Sequence, residues 1–198
     1  MVSERILNNY YNKGGYNKPQ YIGYMMKMIR EIKPLTEEEW KIWYLENVHD
    51  ENYINALANQ MYCSIPACYN ATETECVAYI YDVMFRRTFQ GYNKEKHALR
   101  ILREVISQNV QEAPEIWDTE YFIDFFVTGR TGNLVGIQLK PETFYRGHYQ
   151  FVVDIEGKMK RFCQEQNATA YVLVYKASSD DEITFIDTTV IEDIKRQL

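Results

Sequence analysis

Much that would assign this 198-residue chain to a familiar class is missing from it. No stretch approaches the ~18 consecutive apolar residues of a transmembrane helix, so no membrane span is expected. Residues 1–23 are polar and rich in Asn and Tyr. They lack the basic-then-apolar order of a signal peptide, and a cytoplasmic protein is expected. The four cysteines (Cys63, Cys68, Cys76 and Cys163) form no CxxC pair and have no histidines at zinc-binding spacing. Reduced core thiols are the simpler reading. In a cytosolic chain the Asn-Ala-Thr triplets at Asn70 and Asn167 are chance matches to the glycosylation pattern. There is no GxSxG elbow and no GxxxxGK loop, which disfavours Ser/His/Asp hydrolysis and P-loop chemistry. Basic charge is in short supply: 22 Lys and Arg stand against 28 Asp and Glu, a net charge of −6. Taken alone, that balance argues against a protein that coats a polyanion.

What remains is a globular composition, 46% hydrophobic, 25% charged and 15% aromatic, which excludes disorder, collagen and coiled coil. The length suits one domain, residues 1–198, with a real core. The chain has no internal repeat or low-complexity linker and changes character once, near residue 110. Before it the pattern is helical. Tyr21, Met25, Met28 and Ile32 recur at helix spacing as a core face. Thr36 and Glu39 form a capping box that opens a helix through Trp40, Trp43 and Leu45. Thr72 and Thr74 can cap a helix carrying Val77, Ile80, Val83 and Met84, which Gly91 is expected to end. Another helix is expected over about 94–108. The Tyr- and Gly-rich stretch 10–18 reads either as a flexible arm that grips DNA or as a disordered end.

After residue 110 strands dominate. Residues 121–127 are aromatic and β-branched, 129–133 form a turn cluster, and 134–139 make a second strand ended by Pro141. A long helix is expected over 143–163. Late strands are expected at 171–175 and 183–186, split by the polar turn 178–181, and a short helix over 188–198. This is an α+β (mixed α/β) fold: a helical first part, 1–110, and a central mixed sheet, 111–198, whose β-hairpin is flanked by helices.

The hairpin carries the chemistry. Centred on Thr131, it sets Asp124 opposite Gln138, and strand alternation puts Gln138 and Lys140 on one face. Ile123, Phe125, Ile137 and Leu139 are expected on the other. Asp124 offers a hard oxygen suited to Mg²⁺, and Gln138 and the Leu139 carbonyl offer neutral ones. Lys140 can orient a water or stabilise a pentavalent phosphate. A cation, a water and a lysine are what phosphodiester hydrolysis requires. The same residues also suit a plain surface ion pair.

Asp-x(n)-[Glu/Gln]-x-Lys on a hairpin resembles the PD-(D/E)XK nuclease superfamily. Residues 38–46, Phe85-Arg-Arg-Thr-Phe-Gln-Gly91, Ile123-Asp124 and Gly136-Ile-Gln-Leu-Lys-Pro-Glu-Thr-Phe-Tyr145 look like the MjaI-type restriction endonucleases, in the same order over roughly 20–145. This resemblance implies a restriction-endonuclease-like fold and a homodimeric, Mg²⁺-dependent type II enzyme, with Mn²⁺ as a possible substitute. It implies cleavage of double-stranded DNA at a short palindrome, CTAG in that family, alongside a separate cognate methyltransferase. Asp124 carries over as metal ligand and Lys140 as catalytic lysine. Gln138 departs from the pattern, because the superfamily usually has an acid there. A second carboxylate is therefore sought at Glu95, Asp154 or Glu120, each of which is also readable as a solvated helix charge.

Charge is uneven. Residues 37–83 hold nine acids and one lysine, whereas 86–103 hold six basic residues against Glu95 alone. Arg86, Arg87, Lys94, His97, Arg100 and Arg130 are candidate DNA contacts. An exposed helix face explains the run from Lys94 to Arg103 as simply. Arg146 and Gln150 are candidate base readers, and His148 is a further candidate contact. Another PD-(D/E)XK nuclease, or a DNA-binding module without cleavage, stays open.

Overall fold

The computed structural model describes residues 2–144, 149–177 and 183–198, without the side chains of 149–152. It forms two compact units, Met1–Tyr92 and Asn93–Leu198.

The first unit is helical: α1 Glu4–Lys13, α2 Pro19–Ile22, α3 Met25–Ile32, α4 Glu37–Asn47, α5 Glu51–Ser64 and α6 Glu73–Tyr81. Thr36, Asp50 and Thr72 cap α4, α5 and α6 by accepting from backbone N–H groups. Each thereby satisfies a donor that a helix start leaves open. At Thr72 the reciprocal bond to Glu75 completes the capping box. At Thr36 the box is half formed, because the Glu39 carboxylate accepts from Leu35 N instead. Trp40, Tyr44, Ile54, Met61, Ile80, Met84 and Phe85 are buried together. Two polar handles in that core are satisfied: Trp40 Nε1 donates to the Met84 carbonyl and Tyr44 OH to the Ile22 carbonyl, both at 3.1 Å, whereas the buried Tyr11 hydroxyl has no partner among the described residues.

Several sequence expectations change here. Residues 10–18 are neither a loose arm nor a disordered end. Residues 10–13 belong to α1, and Tyr11 and Tyr16 are buried in the aromatic core. The apolar stripe 21–32 is broken at Gly23, whose φ of 69° favours glycine. After that break Ile29 turns inward and Ile32 is left exposed. Gly91 does not stop its helix. A π-helical segment, Asp82–Arg87, leads into α7, Thr88–Val105, which runs straight through it. Tyr92, Ala98 and Leu102 are buried along α7, so tertiary packing outweighs the ~1 kcal/mol preference against glycine.

The second unit continues from α7 with β1 Gln111–Glu112, α8 Glu115–Tyr121, β2 Phe125–Thr128 and β3 Leu134–Pro141. It ends with α9 Tyr149–Glu165, β4 Ala168–Ala177, β5 Ile183–Phe185 and α10 Thr188–Gln197. The first strand, β1, begins at 111, but α8, α9 and α10 follow it and the compact units divide between Tyr92 and Asn93, not at 110. Among the described residues the strands form one mixed sheet in the order β1-β2-β3-β4-β5. All neighbours are antiparallel except β3 and β4, which run parallel with α9 as the crossover between them. The fold is α+β, as the sequence indicates.

Each face of the sheet has its own core. Phe125, Val127, Val135, Ile137 and Leu173 pack with Ala98 and Leu102 of α7 and with Ile191 and Ile194 of α10. Ile155, Met159 and Phe162 of α9 gather Ile123 and Trp117 on the other face. A Cβ on Gly136 would meet Phe162 at 2.9 Å and Ile123 at 3.0 Å. Only glycine lets α9 lie this close to β3.

The expected strand at 121–127 is shorter than its pattern suggests. Tyr121 ends α8, and Phe122 turns the chain with a left-handed backbone, φ 57°. Because residues 122–124 precede β2, strand alternation does not govern them. Ile123 therefore lies with the α9 core and not with Phe125 and Ile137. Thr143 and Phe144 precede α9. The start of the expected helix at 145–148 and the polar turn at 178–181 lie outside the described residues.

Candidate active site

The hairpin has the register its sequence demands: Phe125 pairs with Ile137, Phe126 with Gly136, Val127 with Val135 and Thr128 with Leu134. One step further, Asp124 sits just before β2 and its backbone N–H donates to the Ile137 carbonyl at 3.0 Å. Its carboxylate then meets the facing strand. Asp124 Oδ2 accepts from Leu139 N at 2.7 Å and from Gln138 Nε2. The Gln138 amide also lies 3.4 Å from the Leu139 carbonyl.

Gln138 is 3% exposed and is the one buried polar residue among the described residues. Its Oε1 is buried without a hydrogen-bond partner among the described residues. A neutral amide oxygen that stays unsatisfied costs ~1–3 kcal/mol, so this position suits a donor or a cation. Burial also pushes the Asp124 carboxyl up to about 7, against the pull of the Leu139 N–H and the Lys140 charge. The negative charges of Asp118 and Glu95 raise it further. Lys140 is half-buried, and burial lowers its ammonium below the usual lysine range while Asp124 and Asp118 act in the opposite direction. Its Nζ stands 5.6 Å from the centre of the Phe144 ring.

Of the three candidate extra acids, Glu95 on α7 is within electrostatic reach of Asp124. Glu120 is engaged elsewhere, with Arg161 Nη2 at 3.2 Å. Asp154 lines an open cavity of about 490 Å³ with Phe122, Val153, Gly157, Lys158 and Arg161. No three His, Cys, Asp or Glu side chains among the described residues stand close enough together to hold a metal ion.

Two residues near the site are absent from the sequence reading. Asp118 acts on both Asp124 and Lys140. Tyr175 of β4 has its hydroxyl pKa raised by burial and then by the Asp124 charge. Tyr175 is the register partner of Pro141, next to Lys140. Asp118 carries no signal of this kind in the sequence.

The proposed DNA contacts have varied surroundings. Arg86 pairs with Asp82, and Arg87 with both Asp82 (2.6 Å) and Glu4 (2.8 Å). Arg100 pairs with Glu104 at 2.9 Å and lies 3.3 Å from His97 Nδ1. Lys94 is half-buried on α7, and Arg130 is exposed in the hairpin turn. Arg146 and His148 lie outside the described residues, and Gln150 falls in α9 where side chains are not described.

The sequence model of the MjaI restriction endonuclease family matches residues 4–185. This chain belongs to that family. The match extends the resemblance of 20–145 through α9 and β4 to β5. Neither a search of curated proteins nor a search of solved structures finds a match. Membership makes the chain a nuclease of the restriction endonuclease type, with DNA as its substrate. No helix among the described residues is long and apolar enough to cross a membrane.

Proposed function

We propose that the open end of the β2–β3 hairpin is the active site of a type II restriction endonuclease. On this reading the enzyme hydrolyses both strands of double-stranded DNA at a short palindrome in the presence of Mg²⁺, or of Mn²⁺ in its place. The observation that carries the reading is the convergence of Asp124, Gln138 and Leu139, with Lys140 beside them, in a member of this family.

The donor set fits a hard cation. Asp124 supplies one carboxylate, Gln138 an amide oxygen that lacks a partner among the described residues, and Leu139 a carbonyl. Turned over about its terminal bond, the Gln138 amide presents its oxygen where Nε2 now lies, beside Asp124. When bound, Mg²⁺ supplies Lewis acidity toward a phosphate oxygen and a more acidic water. The remaining work falls to the chain. Leu139 N–H fixes one Asp124 oxygen and so leaves the other to face a ligand. Lys140 presents an ammonium in a desolvated setting, where its charge acts strongly on a water or on a phosphate that gains negative charge.

A palindromic target requires two-fold symmetry, so two copies of the chain act together. CTAG is the family-based choice of site, and a separate methyltransferase would protect it in the host cytoplasm. Digestion of plasmid DNA with Mg²⁺, followed by sequencing of the fragment ends, tests the reading. Discrete bands whose ends share one palindrome support it. A smear points to a different nuclease, and tight binding without cleavage in Mg²⁺ or Mn²⁺ points to a binding module.

A further inference from the structure

Helix α9 carries a glycine at its middle, where its own core gives no reason for one. Ile155, Met159 and Phe162 turn toward the sheet. Gly157 lies on the opposite, exposed side, and a Cβ there would meet nothing within 4 Å. Glycine is among the least favourable residues inside a helix, and no close approach within this chain requires it here. Gly157 also borders the open cavity of about 490 Å³ that Phe122 and Val153 line, and Val153 is left 38% exposed. The charges along the helix are sorted about the same residue. Asp154 and Glu156 precede it, and Lys158, Lys160 and Arg161 follow it. Arg161 is engaged with Glu120 and Glu165, and Lys158 lies over the Phe122 ring at 4.3 Å. Glu156 and Lys160 are exposed.

We propose that the exposed side of α9 is the interface between two copies of this chain, the two α9 helices running antiparallel and crossing at Gly157 on the two-fold axis. The inference rests on the nuclease reading above, in which a palindromic target brings two copies together. A two-fold contact sets one patch against itself, so the patch must be self-complementary. An antiparallel pair centred on Gly157 levels residues that lie equally far before and after it. Asp154, three residues before, is then level with Lys160 of the second copy, and Glu156 with Lys158. A parallel pair would set acids against acids and bases against bases. At the crossing point the missing Cβ lets two helix backbones approach closely. The second copy covers Val153 and the mouth of the Phe122 cavity, apolar surface that one chain leaves open. Helix α8, tied to α9 by Trp117 and Tyr121 against Phe162, adds the exposed Ile116. Because α9 is the crossover from β3 to β4, an axis through it relates the two β2–β3 hairpins, one for each DNA strand.

The test uses the full-length protein without metal. Sedimentation equilibrium should show a dimer. Lys160→Glu sets like charges together twice across the axis and should weaken dimerisation about tenfold or more. Adding Asp154→Lys to the same chain should restore it, because opposite charges then face each other again. Gly157→Cys locates the axis. Its thiol meets its own copy, so mild oxidation should link two chains 157 to 157. Gln164→Cys lies on the same face two turns on, about 10 Å from the axis, and two copies of it stand beyond the ~7 Å reach of a disulfide. Peptide mapping separates the 157 link from any through the exposed Cys63 and Cys68. A dimer that forms equally in every variant, with no 157 link, overturns this interface. A wild type that stays monomeric with and without a CTAG duplex overturns it as well. If Lys160→Glu melts early, the two cysteine variants decide, since neither alters a charge. Plasmid digestion reads the nuclease assignment separately: discrete fragments from a protein that fails these tests leave that assignment standing and strike only the α9 interface.

Discussion

The two ends of the β2–β3 hairpin treat polar groups in opposite ways. At the turn, Gly129 N donates to the Asn133 carbonyl at 2.8 Å, Arg130 N to the Gln197 carbonyl at 3.0 Å, and Thr131 Oγ1 to Asn133 Oδ1 at 2.7 Å. The Gln197 side chain, at the end of α10, bonds Thr169 and Tyr171 of β4. At the other end a carboxyl is pushed up to about 7, an amide oxygen lacks a partner among the described residues, and a lysine is desolvated. One end is built for stability. The other carries unfavourable electrostatics that a bound cation would relieve. A stable clasp at one end lets the strands hold register while the other end stays poorly satisfied.

The largest expected effect falls at the unsatisfied end. Asp124→Asn removes the carboxylate while an amide oxygen remains to accept from Leu139 N. Loss of several kcal/mol of transition-state stabilisation corresponds to a cleavage rate lower by about 10³-fold or more. The same change should stabilise the metal-free protein. The sign follows from linkage. The folded carboxyl keeps its proton up to about pH 7, whereas the unfolded one releases it near 3.8. Stability therefore falls as pH rises between those values, and the penalty, at most roughly 4 kcal/mol, is fully present above pH 7. Chemical denaturation at pH 8 without metal should show Asp124→Asn to be the more stable protein. The gap should close toward pH 4.

A proton and a cation compete for Asp124. At fixed, sub-saturating Mg²⁺ the cleavage rate should drop about tenfold for each pH step of one below 7. Added Mg²⁺ should move that profile toward acid. A profile that ignores Mg²⁺ would separate the pH effect from this carboxyl.

At the clasped end the outcomes invert. A Cβ on Gly129 would sit 2.6 Å from Asn133 Oδ1 and 2.7 Å from the Gln197 carbonyl. The side chain can move, but the backbone carbonyl yields less. Gly129→Ala should destabilise by about 1–3 kcal/mol in urea titration, and the folded fraction should keep its cleavage rate. Gln197→Ala removes the bonds to Thr169 and Tyr171 and should cost about 1–2 kcal/mol, again with little change in cleavage. If either variant lost activity before stability, the two ends would not be separable.

Legibility in the sequence follows the same division. The hairpin register was readable because a compact turn cluster and alternating β-branched residues leave a single pairing that buries Phe125, Val127, Val135 and Ile137 together. Asp124, Gln138 and Lys140 follow from that pairing. Helix α5 is equally legible, with Asp50 as its cap and Ile54, Leu57, Ala58 and Met61 at helical spacing. Asp118 was not readable. Its relevance depends on Phe122 adopting a left-handed backbone against its usual preference and on two hydrogen bonds that fold α8 onto the strand entry. The face taken by Ile123 was hidden for the same reason. The Arg87–Glu4 pair joins residues 83 positions apart, which no local pattern reports. The net charge of −6 likewise misleads as a whole-chain figure. Its acids include Asp124, which a cation site would use.

The most direct test of the opposition between the two ends is the Mg²⁺ dependence of melting temperature at pH 8, for wild type and Asp124→Asn side by side. The wild type should start lower and rise with Mg²⁺, while Asp124→Asn should start higher and stay level. A wild type that does not respond to Mg²⁺, or a variant that responds as strongly, would contradict the assignment of this hairpin end as the cation site.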